Sequence, residues 1–113
     1  MSTPSKLSGT VVLDANGYGT CVLSPQGLLF VVGHLTVSTS TSGLIPVANV
    51  YHGDVSQSNL VEGTFVGSSD ASDTTHELQP GESLTVEWVG GDPGAVAFAR
   101  ATGRTYQSGE WDG

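Results

Sequence analysis

The segment Leu78–Gly94, LQPGESLTVEWVGGDPG, reads as turn, strand, turn. Pro80-Gly81 suits a tight turn, because the proline ring presets φ for one corner and glycine accepts the positive φ of the next. Leu84, Val86 and Trp88 then alternate with Thr85, Glu87 and Val89, the period of two that sends one set of side chains inward and the other outward. Gly90-Gly91-Asp92-Pro93-Gly94 ends the strand with residues that sheet interiors disfavour. A tryptophan delivered from mid-strand needs a core around it, with antiparallel neighbours on both sides. Leu84, Val86 and Trp88 are therefore expected in the core of a small all-β domain.

The rest of the chain punctuates itself similarly. A strand near Thr10–Asp14 is followed by Ala15-Asn16-Gly17, where asparagine then glycine tolerates the left-handed angles of a hairpin turn. A second strand spans about Tyr18–Ser24, and Pro25-Gln26-Gly27 turns the chain. Leu28–Thr41 carries the longest strand-like pattern. Both of its faces begin apolar, which predicts a central strand or a bulge at Gly33 that switches faces. Further strands are expected at Pro46–His52, Leu60–Val66, with a bend at Gly63, and His76–Leu78. The polar stretch 67–75 reads as a loop of small side chains that bond their own backbone. Ala95–Ala101 reads as the last core strand, with Val96 and Phe98 inward or facing a neighbour. About eight strands with turns every eight to twelve residues predict one antiparallel β-sandwich, jelly-roll or immunoglobulin-like, over residues 8–103. Residues 1–7 are expected as a flexible arm and 104–113 as a C-terminal tail.

Size and charge narrow the function. At 113 residues the chain is one domain, able to bury roughly two-thirds of its unfolded surface. Eleven acids stand against Lys6, Arg100 and Arg104, a net charge of −8. Affinity for phosphate backbones and anionic membranes comes from Lys and Arg, so neither is an expected partner. Ser and Thr together number 26, which makes the solvent side of the sheets hydroxyl-rich rather than ion-paired. The polar start Met1–Lys6 has no apolar run behind it to serve as a secretory signal, and the longest apolar run, Leu28–Val32, is too short to span a bilayer. These features predict a chain made in a cytoplasm that stays soluble.

Chemistry finds little purchase. Asp70, Asp73 and Asp92 could offer oxygens to calcium, yet the dense acids and closing glutamate of a calcium loop are missing, and solvated turns are the simpler reading. His34, His52 and His76 lack metal-ligand spacing, and nothing near Cys21 activates its thiol, so a small buried hydrophobe is its expected role. No nucleophile-elbow motif occurs. No cofactor and no catalysis are expected. Tyr18, Tyr51, Tyr106, Trp88 and Trp111 could stack on sugars, which makes a cell-wall glycan the alternative ligand. Trp111, in the acidic, glycine-bounded end of the chain, suits an anchor on a neighbouring subunit as well as packing on its own domain.

Leu13–Gly17, Thr36–Thr41, Leu60–Phe65, Ser69-Asp70 and the run ending Trp88–Ala95 resemble small virion structural proteins of tailed phages that infect actinobacteria. Together these segments span about residues 9 to 101; the chain departs from the pattern at Leu28-Leu29-Phe30. The resemblance implies a β-sandwich coat component without catalysis, a minor tail or head decoration protein. The function expected is that of a capsid decoration protein on the outer head surface, binding the major capsid protein and copies of itself, with trimers compatible. The alternatives are a tail component and a glycan-binding module. The residues expected at the interface are Lys6, Leu7, Arg104, Tyr106 and Trp111.

Overall fold

A computed structural model describes residues 3–25, 29–40, 43–67, 69–73 and 75–106. Nine strands are seen: β1 (Thr3–Val12), β2 (Gly19–Leu23), β3 (Leu29–Thr39), β4 (Val47–His52), β5 (Leu60–Val66), β6 (Ser69–Ser72), β7 (His76–Leu78), β8 (Leu84–Val89) and β9 (Val96–Tyr106). They form two antiparallel sheets packed face to face. One has the order β1-β9-β3, with β6 and β7 sharing the far side of β3; the other has the order β2-β8-β4-β5. With β6 set aside, the pairings nest: β1 with β9, β2 with β8, β3 with β7, β4 with β5. That nesting is the double Greek key of a jelly roll, not an immunoglobulin order.

The alternation read in β8 decides which side faces in. Leu84, Val86 and Trp88 are fully buried between the sheets, together with Leu23, Phe30, Val32, Leu35, Val50 and Leu78. In β3 the inward residues are Phe30 and Val32 before Gly33 but Leu35 and Val37 after it. The pairing with β9 slips by one residue at that glycine, so the bulge lets two apolar runs of opposite parity share one core.

The last strand differs from expectation. Ala97, Ala99 and Ala101 form its inner face, whereas Val96 points outward at 46% exposure and Phe98 is only half-buried, capped by the Arg100 guanidinium 5.4 Å from its ring centroid. Small side chains suffice on this strand because the bulk of the core comes from Trp88, Leu23 and Leu84 of the opposite sheet and from Phe30, Leu35 and Leu78 on β3 and β7. Gly9, paired with Ala99, meets the same demand: a methyl there would run into the sulfur of buried Cys21. Side-chain bulk misleads where core thickness is already filled from across the gap.

The first and last described residues are also strand. Residues 3–7, expected as an arm, make the first half of β1, because Thr3–Leu7 lie in register with Ala101–Thr105 of a β9 that runs on through Tyr106. β6 occupies part of the expected 67–75 loop. β1 forms the edge of its sheet, where Pro4, lacking a donor, and exposed Lys6 discourage pairing with another chain. The molecule measures 47 × 26 × 20 Å.

One pole is tightly laced. Gly91 N–H donates to Gly17 O at 3.0 Å, Leu13 N–H to Ala95 O at 2.8 Å and Gly67 N–H to Pro46 O at 2.8 Å. The Asp92 carboxylate accepts from the N–H groups of Gly43 (2.8 Å) and Leu44 (3.0 Å), tying the β8–β9 loop to the β3–β4 loop.

Candidate docking face

Register places the basic residues of the chain together. On β1 and β9 the even-numbered residues face away from the core, since their odd neighbours Leu7, Gly9 and Val11 pair with inward Ala101, Ala99 and Ala97. Lys6, Arg100 and Arg104 are all exposed on that outer face. Lys6 sits opposite Thr102, so Arg100 and Arg104 are its two diagonal cross-strand neighbours, with about 7–8 Å between such positions. Every Lys and Arg of a chain carrying eleven acids therefore lies on one face of one sheet.

Aromatic surface adjoins them. Phe98 carries the Arg100 guanidinium, and Tyr106, half-buried, lies across from Leu29 of β3. A groove of about 410 Å3 runs against the same ribbon, lined by Pro4, Ser5, Lys6, Thr102 and Gly103. Glu77 shares a row with Arg104, but Val31 separates them; Asp73 is engaged by His34 at 2.5 Å. Of the residues expected at an interface, Lys6, Arg104 and Tyr106 share this face. Leu7 turns toward the core and packs against it, while Trp111 lies outside the described residues.

The outer face of the other sheet is organised around Glu87. Its carboxylate accepts hydrogen bonds from Tyr18 Oη (2.9 Å), Tyr51 Oη (2.9 Å) and Asn49 Nδ2 (3.3 Å), and only 8% of the residue is exposed. Burial, and then the bond to Glu87, raise both tyrosine hydroxyls above their usual pKa. Sequence reasoning missed this hub; the clue was the outward parity of Glu87 on a strand flanked by tyrosine-bearing strands. Tyr51, 9% exposed, offers little ring surface, and Tyr106 belongs to the opposite sheet, so the two do not share a sugar platform.

The remaining candidates resolve into local structure. Asp70 accepts from the N–H groups of Val66 and Ala71, both at 2.8 Å, which lowers its pKa; Glu82 is lowered chiefly by the N–H of Gln79. His76 Nε2 meets Glu62 Oε2 at 2.6 Å with both side chains 10% exposed, joining β7 of one sheet to β5 of the other. Burial raises the Cys21 thiol. Among the described residues no group of three or more His, Cys, Asp or Glu is placed to hold a metal ion, and no helix is long and apolar enough to cross a membrane.

Fold and surface define a jelly-roll β-sandwich with its positive charge confined to the outside of one sheet. No family model matches the chain, and no curated protein does. Among solved structures, a chain from "Structure of infectious bursal disease virus Gx strain" is similar at 16% identity and a TM-score of 0.36. The match covers 97% of this chain and 30% of that one, so this chain spans under a third of its length. A likeness that loose says nothing about role.

Proposed function

We propose that this chain is a non-enzymatic structural protein of a phage virion, a decoration protein bound in many copies to the outer surface of the head. The observation that carries the reading is the outer face of β1 and β9, where Lys6, Arg100 and Arg104 stand beside Phe98 and Tyr106. Arginine and aromatic side chains are what protein-docking surfaces concentrate. The resemblance of residues 9 to 101 to actinobacterial phage virion proteins supports the same reading, as does a fold that serves viral coats and lectins alike.

The mechanism is additive. One modest face, repeated over a symmetric shell, adds contacts between neighbouring shell subunits, and copies that touch two of them gain from effective concentration. The remaining surface is acidic and hydroxyl-rich, which keeps decorated particles apart. The test is co-sedimentation of the purified protein with capsids assembled without it, followed by mapping of the added density. Saturable binding with symmetric density is expected. Binding to tail tubes alone, or retention on cell-wall glycan alone, would overturn the head assignment.

A further inference from the structure

We infer that the free edge of β2 pairs with β2 of a second copy of this chain, antiparallel about a two-fold axis, so that the sheet continues from one copy into the other. The inference goes beyond the proposed function and does not rest on it. Three observations carry it. The first is which backbone groups β2 leaves over. Gly53 N–H donates to Ser83 O at 2.9 Å, so the odd residues of β8 turn their backbone toward β4 and the even ones toward β2. The partners of those even residues are Gly19, Cys21 and Leu23, which leaves the N–H and C=O groups of Thr20 and Val22 pointing away from the sheet. The Tyr18 groups on that side are taken: its N–H donates to Asp14 Oδ1 at 3.1 Å, and its carbonyl accepts from the Asp14 N–H at 2.9 Å.

Second, β2 lacks the protection that the other edges carry. β1 has Pro4 and Lys6. β5 slips register twice against β4, contains Glu62 and has its Val66 N–H held by Asp70. β6 and β7 run only four and three residues and carry Asp70 and Glu77. Prolines, charges, irregular registers and very short strands all discourage pairing between sheet edges. Gly19–Leu23 has no proline, no charge and no register shift. Third, this side of the sandwich is neutral and apolar in a chain of net charge −8. Val22 is 59% exposed; Leu7–Val12 of β1, brought beside β2 where Gly9 meets Cys21, holds no charge, and Val12 is 63% exposed. A charged partner finds nothing to hold here, whereas two copies meet without setting acid against acid.

Self-pairing also uses the groups left over. With Thr20 opposite Val22 of the second copy, and Val22 opposite its Thr20, each residue exchanges a pair of hydrogen bonds. A register centred on Thr20 would aim Val22 at the occupied Tyr18, and one centred on Val22 would set Thr20 against Ser24, beyond the end of the strand. The contact is small. A strip of five residues, about 17 Å long and one strand wide, covers far less than the about 800 Å2 per partner of a standard interface, so the isolated pair is weak and gains wherever copies are held close together.

The test is sedimentation equilibrium of the full chain, with amide hydrogen exchange at low and high concentration. A dimer with a dissociation constant of about 1 mM or tighter is expected, with the Thr20 and Val22 amides gaining protection as concentration rises. Val22→Lys and Val22→Glu each bring like charges together across the two-fold axis and should weaken the dimer at least about ten-fold. Val22→Lys makes the chain less acidic, so its effect is not overall repulsion. Mixing the two variants should restore a mixed dimer, because an ammonium then meets a carboxylate. Both alter an exposed side chain, so unchanged thermal unfolding separates lost pairing from lost folding. A monomer throughout, a dimer indifferent to both variants, no recovery on mixing, or protection of Thr20 and Val22 that arises only on capsids would each overturn the inference. If the chain dimerises through β2 yet binds no heads, decoration falls while pairing stands. If it binds heads but stays monomeric in solution, pairing falls while decoration stands.

Discussion

At the scale of single residues, small side chains and one carboxylate set the tolerances. Gly9→Ala should destabilise the fold by about 1–3 kcal/mol, because its methyl meets the Cys21 sulfur; Cys21→Ala should relieve the clash, and a double-mutant cycle by chemical denaturation should return a coupling of about 0.5–3 kcal/mol. Gly17 has φ +72°, and a side chain there would strike the Gly91 carbonyl, so Gly17→Ala should cost more than Gly81→Ala, where φ is +90° but space is open. Glu87→Gln leaves the tyrosine hydroxyls a weaker, neutral acceptor. The folded pKa values of Tyr18 and Tyr51 lie above the unfolded value, so the stability they lend is whole below pH 10 and is lost as pH rises through those values. The Glu87→Gln chain should show a shallower alkaline loss of stability, read by thermal melts and tyrosine absorbance across that range. Asp70 and Glu82 act in the opposite sense: their lowered values give stability that is present above their usual 3.8 and 4.5 and lost as pH falls through the folded values. The positive φ of Gly17 and Gly81 was legible in the turn signals, but the Gly9–Cys21 contact and the Glu87–tyrosine bonds were not, since they join strands far apart in sequence.

At the scale of elements, legibility followed local chemistry. The strand Leu84–Val89 and the turns around it were plain, because alternation and Pro-Gly punctuation are local signals. The face switch at Gly33 was readable for the same reason: two apolar runs of opposite parity met at a glycine. β9 misled because Val96 and Phe98 outrank alanine in hydrophobicity, while core thickness, set by Trp88 and the leucines opposite, favoured alanine. Replacing Ala99 by Val should therefore destabilise by about 1–3 kcal/mol through overpacking, whereas Val96→Thr should stay within about 0.5 kcal/mol, both by chemical denaturation. The first half of β1 escaped notice because its partner, Ala101–Thr105, lies about a hundred residues away. The grouping of the cations on one face was half legible. Lys6, Arg104 and Tyr106 were singled out as residues near the ends, but only register shows that Arg100 joins them and that Leu7 does not.

At the scale of the whole molecule, charge is segregated rather than balanced. A chain of net charge −8 that gathers its cations on one face has a preferred orientation toward any acidic surface. Binding to particles through that face should weaken as salt rises from about 50 to 300 mM, measured by co-sedimentation, whereas thermal stability should change little because the docking charges are exposed.

The nested pairing also dictates when the fold can form. As the chain leaves the ribosome, β1, β2 and β3 emerge first, yet their nested partners β9, β8 and β7 follow only after β4, β5 and β6. The β4–β5 hairpin is the first of the nested pairs to have both halves available, with β6 following at once to join β3. The sandwich therefore closes only once β9 has been made, starting from the middle pairs and zipping outward to β1 and β9. Pairings this distant place it among slow-folding β proteins, on the order of milliseconds to seconds. An unclosed chain leaves its strand edges open, and the proline and lysine on β1 protect that edge during the interval as well as after it.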